Sequence, residues 1–183
     1  SFNMGSAAMP IDANVSARLL ITDGGPINRE RDPFGLSRGL ISHGNVTIHG
    51  AAKTASAALA VSPLAGSNRL HLATAPSGWQ VGDTFVLASA TVGVEQNEIV
   101  RIRSISGSTV VLDRALKFDH VPIDDTLQIH VINTSRNAVI ESESSIASRR
   151  GHTMFMHSRD VDIAFARFYQ LGRTDKTRPT NDA

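Results

Sequence analysis

The chain has 183 residues, 41% apolar and 19% charged, with 18 Lys plus Arg against 17 Asp plus Glu for a formal net charge of +1. This composition excludes wholesale disorder, and the length suffices to bury a core without metal or disulfide staples. Near-neutrality leaves no bulk field for nucleic acid or an anionic membrane, no apolar run is long enough to span a bilayer, and the absence of Cys removes disulfides, thiolate cages and a Cys nucleophile.

Residues 1–16 read as a flexible start. Alternating runs rich in Ile, Val and Thr then predict short, half-buried strands at residues 17–21, 45–49, 69–72, 84–87, 99–102, 109–112, 127–132, 138–140 and 161–163. Gly24-Gly25 is a turn; no phosphate-loop pattern surrounds it. Asn45-Val46-Thr47 has the form of an N-glycosylation acceptor. Ala-rich Thr54 to Ala60 is the one helix candidate, about two turns ending before Pro63. The same residues also suit a tightly packed strand. Trp79 to Asp83 opens a run of closely spaced strands, with Trp79 in the core and Asp83 capping a turn. Ser106-Gly107-Ser108 is a hairpin turn, which requires antiparallel neighbours. Residues 67–117 are therefore expected to form an antiparallel lobe, set between residues 17–66 and 118–172. Residues 173–183 read as a polar loop or tail.

Two internal similarities organise the flanking segments. Ser135-Arg136-Asn137-Ala138-Val139-Ile140 lines up with Ser158-Arg159-Asp160-Val161-Asp162-Ile163, and Asn45-Val46-Thr47-Ile48 has the same form as Asp160 to Ile163. Each copy is a polar turn residue followed by a short apolar strand. That pattern suits successive coils of a parallel β-helix, in which strands stack rung on rung. Ordinary antiparallel strands with Asn/Asp turns are the other reading. Phe155, Phe165 and Phe168 are expected as stacked interior rungs.

Residues Gly39 to Thr54, Trp79 to Asp83, Leu87-Ala88-Ser89, Glu95 to Glu98, and Leu112 to Leu116 with Phe118 and His120 together resemble a G8 domain. Ser135-Arg136-Asn137 and Gly151-His152-Thr153-Met154 resemble the β-helical segment that follows one. The family includes the cell-migration-inducing hyaluronidases, their membrane-anchored relative, fibrocystin-type proteins and bacterial secreted proteins. The resemblance covers residues 17 to 175. It implies an all-β fold, a right-handed parallel β-helix of few coils with a small antiparallel insertion. It also implies an extracellular setting and a polysaccharide ligand, hyaluronan above all. Open ends of so short a β-helix call for caps, further domains of a longer parent chain, or a homo-oligomer.

Within that resemblance, Glu98 falls at the family's Gln-x-Glu position, and His120 and His152 match its His positions. Glycoside hydrolysis needs two carboxylates, one of them protonated, whereas a lyase needs a base and a cation that stabilises an enolate. Glu98, His120, His152 and Arg136 are the candidate catalytic group, with His152–Arg136 and His120–Lys53 as candidate lyase pairs. Lys53, Arg173, Asp175 and Tyr169 are candidate substrate-binding residues, because a guanidinium suits a uronate carboxylate and an aromatic ring suits a sugar face. Arg residues concentrate after residue 130. Glu141 and Glu143 would share one strand face. His71 and His130 are expected to point outward. His43 and His49, on one strand, would lie roughly 20 Å apart, too far for one ion. No short metal-binding motif is present, so no metal is expected and no cofactor is assigned. A non-catalytic carbohydrate-binding or structural module is the alternative to a hydrolase or lyase.

Overall fold

The computed structural model describes residues 1–91, 93–124 and 126–173. Among these the regular structure is β throughout, apart from a single 3-10 turn at Ala147–Arg149. The strands are β1 (Phe2–Met4), β2 (Ala17–Ile21), β3 (Gly39–Ser42), β4 (Val46–His49), β5 (Ser56–Ala58), β6 (Arg69–His71) and β7 (Thr84–Leu87). They continue with β8 (Glu98–Ser106), β9 (Thr109–Leu112), β10 (His130–Asn133), β11 (Ala138–Ser142), β12 (His152–Phe155), β13 (Val161–Ala164) and β14 (Ala166–Tyr169). The chain divides into two compact units: Ser1–Ala51 with the chain from Arg136 onward, and Ala52–Ser135.

The first unit is built from parallel pairings. β1, β4 and β13 form one ladder, β2, β11 and β14 a second, and β3 and β12 a third. The chain enters the ladders in a fixed order: β1, β2, β3, then β4, β11, β12, then β13, β14. Strand alternation turns one side chain in two inward. Register then stacks Met4 on Ile48 on Ile163, and Leu19 on Ile140 on Phe168. Val46, Ile48, Ala138 and Ile140 are fully buried at the centre of this core, packed by Phe2, Leu19, Leu40 and Phe155.

Corner residues hold the ladders in register. Asn137 Oδ1 accepts the Ala51 N–H at 2.8 Å, while its Nδ2 donates to the carbonyls of Ile11, Asp12 and Val15 at 3.3, 2.8 and 2.9 Å. Gly50 sits beside it because a Cβ there would lie 2.3 Å from the Phe165 carbonyl oxygen.

The similarity of Asn45–Ile48 to Asp160–Ile163 marks true neighbours: Val46 pairs with Val161, and the Val46 N–H donates to the Asp160 carbonyl at 3.0 Å. The similarity of residues 135–140 to 158–163 does not mark one coil. β11 and β13 lie in different ladders, so this motif is a corner-to-strand turn used on two faces. The expected flexible start contains β1, whose Phe2 N–H donates to the Asn45 carbonyl at 2.9 Å. Phe165 and Phe168 are not interior. Phe165 takes a left-handed φ of 52° between β13 and β14, and Phe168 stacks on Ile140 but is 40% exposed, with no described strand on the far side of β14.

The second unit is antiparallel, in the order β5-β10-β7-β8-β9-β6. A bridge between Leu59 and Leu72 brings the end of β5 to β6, so the sheet curls back on itself. Its interior holds Leu59, Leu70, Trp79, Phe85, Leu87, Ile102, Leu112 and Val131. Trp79 lies against Phe85 at 4.5 Å, and its ring N–H donates to the Thr54 carbonyl at 2.7 Å. The β8–β9 turn runs through Gly107 at φ 56°, at the expected hairpin. The antiparallel strands reach from β5 to β10, wider than residues 67–117. The helix candidate resolves as strand: the backbone of Ser56–Ala58 pairs with β10, and the small side chain of Ala57 is buried in the interior. A two-turn helix could not have offset its nucleation cost alone.

Asn137→Ala removes an acceptor and a donor that together serve two part-buried and two exposed backbone groups. The expected loss is about 2–3 kcal/mol, read as a lower urea midpoint at unchanged slope. A change under about 0.5 kcal/mol would place Asn137 among ordinary surface positions.

Candidate functional site

In the antiparallel unit, β8 begins at Glu98 and directs its carboxylate inward. Glu98 Oε2 accepts Arg114 Nη1 at 2.7 Å, and Oε1 accepts the backbone N–H groups of Lys117 and Phe118 at 2.8 and 3.1 Å. His120 Nε2 lies 3.3 Å from the same Oε1, and its Nδ1 lies 2.9 Å from the Ala88 carbonyl oxygen. Both neighbours of the ring are oxygen acceptors. Burial is the largest single influence on Glu98 and pushes its carboxyl up. The Arg114 guanidinium, the two backbone N–H groups and His120 together outweigh it, and the net displacement is downward.

The sequence thus selects two residues that do meet. Their side chains, however, are 2% and 0% exposed. A cavity of about 380 Å³, lined by Ala88, Ser89, Pro122, Ile123, Ile129 and Ile132 among others, lies in this unit, and neither Glu98 nor His120 lines it. The pair ties the 114–120 segment to β8 and holds no position open to a polymer. Lys53, expected to bind substrate, is likewise committed inside: its Nζ lies 2.6 and 2.8 Å from the two Asp83 oxygens, with both side chains 8% exposed. Asp83 also accepts the Gln80 N–H at 3.0 Å, the expected turn cap, and Asn133 Nδ2 at 2.9 Å. His71 and His130 face outward as expected.

In the parallel unit, His152 opens β12 with its ring laid on Gly39, where a Cβ would stand 2.8 Å from Nδ1. Both ring nitrogens are buried without a hydrogen-bond partner. The residue as a whole is half-buried, and neither nitrogen is turned to solvent. Arg136 is half-buried ahead of β11. Arg173, expected on substrate, spends its guanidinium on backbone: it donates to the carbonyls of Arg150 at 2.6 Å, Arg38 at 2.7 Å and Gly35. Asp175 lies outside the described residues. Glu141 accepts from Arg18 Nε, and Glu143 accepts the Asp23 N–H at 2.7 Å. His49 is buried, with Nε2 2.9 Å from the Asp162 carboxylate.

Tyr169 is the expected site residue that stays open, at 42% exposure. Register on the second ladder aligns Arg18, Val139 and Arg167 in one outward column and Leu20, Glu141 and Tyr169 in the next. The Arg167 guanidinium lies over the Tyr169 ring at 4.2 Å. Arg18 and Arg167 were not singled out as a pair from sequence. Their adjacency follows from pairing β2 and β14 with β11, for which the period-two alternation of residues 17–21 and 138–140 was the available signal. Among the described residues no helix is long and apolar enough to cross a membrane.

No family model and no curated protein matches the chain. Among solved structures it is similar to the tailspike gp61 of Pseudomonas phage phi297, at 16% identity over 69% of this chain and 20% of that chain, TM-score 0.38. It is also similar to the tailspike gp49 of Pseudomonas phage LKA1, at 20% identity over 69% of this chain and 25% of that one, TM-score 0.39. A third is the Gp54 tailspike of Acinetobacter baumannii bacteriophage AP22, solved in complex with A. baumannii capsular saccharide, at 14% identity over 82% and 30%, TM-score 0.37. The chain spans less than a third of the length of each. Scores this low define neither a common fold nor a common ligand.

A carboxyl whose folded-state value is depressed contributes stability above its unfolded value and loses it as pH falls through the folded one. The wild-type antiparallel unit is therefore expected to lose stability below the ordinary Glu range, with Glu98→Gln flattening that limb. At neutral pH, Glu98→Ala is expected to cost about 3 kcal/mol through the Lys117 and Phe118 N–H groups and the His120 ring left without their carboxylate partner. Acid unfolding curves of wild type and Glu98→Gln that superimpose would contradict this.

Proposed function

We propose that this chain is part of an extracellular, polysaccharide-directed protein, that its parallel unit is a right-handed β-helix of few coils, and that it binds an acidic glycan along the outer face of the second ladder. The observation that carries the reading is the outward pair of columns, Arg18–Val139–Arg167 beside Leu20–Glu141–Tyr169. A ladder is a periodic surface. Arg18 and Arg167 are two strand spacings apart, about 9.6 Å, a span comparable to a disaccharide repeat. A uronate or other carboxylate can take Arg18 by displacing its Glu141 partner and Arg167 from its place over Tyr169, and the face of the Tyr169 ring opposite Arg167 offers a flat apolar platform to a sugar. A pyranose chain such as hyaluronan has both features. The cyclic passage of the strands through three parallel ladders supports the β-helix reading; its hand and the G8 relationship rest on the resemblance in sequence.

The same geometry favours binding over hydrolysis or elimination. Glu98 and His120 are enclosed, the His152 nitrogens are sealed, and Lys53 and Arg173 are held by protein groups. The exposed groups of the ladder face are suited to recognising a polyanion rather than to protonating a leaving oxygen.

The test is calorimetry of the intact chain against acidic and neutral oligosaccharides at low and moderate salt. Acidic ligands are expected to bind and neutral ones not. Arg18→Ala, Arg167→Ala and Tyr169→Ala are each expected to weaken binding about tenfold, the scale of one lost charge-assisted contact. Arg103→Ala, on an exposed position of the antiparallel unit, serves as the unaffected control. Binding that survives both arginine substitutions, or release of new reducing ends that Glu98→Gln abolishes, would overturn the proposal.

A further inference from the structure

We propose that His43 and His157 form a two-ligand site for a divalent transition-metal ion of the zinc type. The site is independent of the glycan face. His43 lies in the turn from β3 to β4, and His157 in the turn from β12 to β13. The ladders stack these turns: Ser42 pairs with Phe155, the Met156 N–H donates to the Ser42 carbonyl at 2.9 Å, and the Val46 N–H donates to the Asp160 carbonyl at 3.0 Å. Two residues far apart in sequence are thereby fixed side by side on consecutive coils.

The distance carries the assignment. The two Nδ1 atoms are 3.4 Å apart, with ring planes inclined by only 11° and centroids 5.5 Å apart. Zinc–imidazole bonds of 2.0–2.1 Å in a tetrahedral shell place two nitrogens about 3.3–3.4 Å from each other. The pair therefore already has the nitrogen–nitrogen spacing that such an ion needs. A hydrogen bond across this contact requires one Nδ1 to carry a proton and the other to accept it. On binding, the donor ring passes its Nδ1 proton through solvent to its own Nε2. Both rings stay neutral, both lone pairs turn to the ion, and no net proton is released.

His157 takes a left-handed φ of 53°. Phe165 and Gln170 share this conformation at φ 52° and 51°, so it belongs to the strand ends of this unit, and at position 157 it fixes where the imidazole sits. Both rings are exposed, so an ion reaches them from solvent. Among the described residues no third His or carboxylate joins them, so the ion keeps water in its remaining positions. An ion bridging two coils also binds the folded state alone, and it raises stability by mass action.

The experiment uses the untagged full chain with Zn2+ as the probe. Zn2+ is expected to raise the melting temperature and EDTA to reverse the rise. His43→Ala and His157→Asn are each expected to weaken zinc binding in calorimetry by at least about tenfold through loss of the chelate. Asparagine is chosen at 157 because it tolerates the left-handed backbone. Independently of any variant, Zn2+ added to the 15N-labelled wild type is expected to move the Nδ1 resonances of His43 and His157, with each Nε2 protonated in the bound state. Zinc binding that both variants retain, or ring shifts confined to His71 and His130, would overturn the site.

Discussion

Stacked burial of Val46, Ile48, Ala138 and Ile140 between three parallel ladders is the constraint from which the rest of the parallel unit follows. Each such side chain removes apolar surface worth about 1.5–3 kcal/mol from water, but only if its strand neighbours are in register. A slip of one residue would turn every one of them outward. The neighbours come from distant parts of the sequence, since β4 closes one side of the inserted antiparallel unit and β11 resumes on the other. Asn137 and Gly50 meet this demand at the corner: one by bonding the adjacent turn carbonyls, the other by leaving room for the Phe165 carbonyl.

Register fixed inside is also register fixed outside. Alternation that buries Ala17, Leu19, Ala138 and Ile140 obliges Arg18, Val139 and Arg167 to line up on the solvent face. Stacking of the ladders obliges the turns to stack too, which sets His43 against His157. The proposed glycan face and the proposed metal pair are thus separate products of one packing rule. Glu98, His120, Lys53 and Asp83 answer a different need. They tie irregular segments of the antiparallel unit to its sheet through buried, mutually satisfied charges.

Much of this was legible where the signal was local. Period-two runs located most strands, the Ser106-Gly107 turn located a hairpin, and the kinship of Asn45–Ile48 with Asp160–Ile163 identified strands that stack. Glu98 and His120 were selected together and do meet, but their burial was not legible. Charged residues default to solvent, and only the convergence of Arg114 and two backbone N–H groups makes an interior carboxylate tolerable. The burial of Lys53 against Asp83 was not legible for the same reason. Residues 54–60 carried helix propensity that pairing with β10 overrode. The Arg18–Arg167 column and His157 depend on register across the insertion, which composition and spacing do not encode.

The central claim is that the outward columns of the second ladder are the glycan surface. Chemical-shift mapping with an acidic oligosaccharide on the 15N-labelled intact chain tests it most directly. The account predicts perturbations grouped on Arg18, Leu20, Glu141, Arg167 and Tyr169, with the core of the antiparallel unit silent. Perturbations grouped instead around residues 88–90, 122–123, 127–130 and 132, lining the apolar cavity, would contradict it.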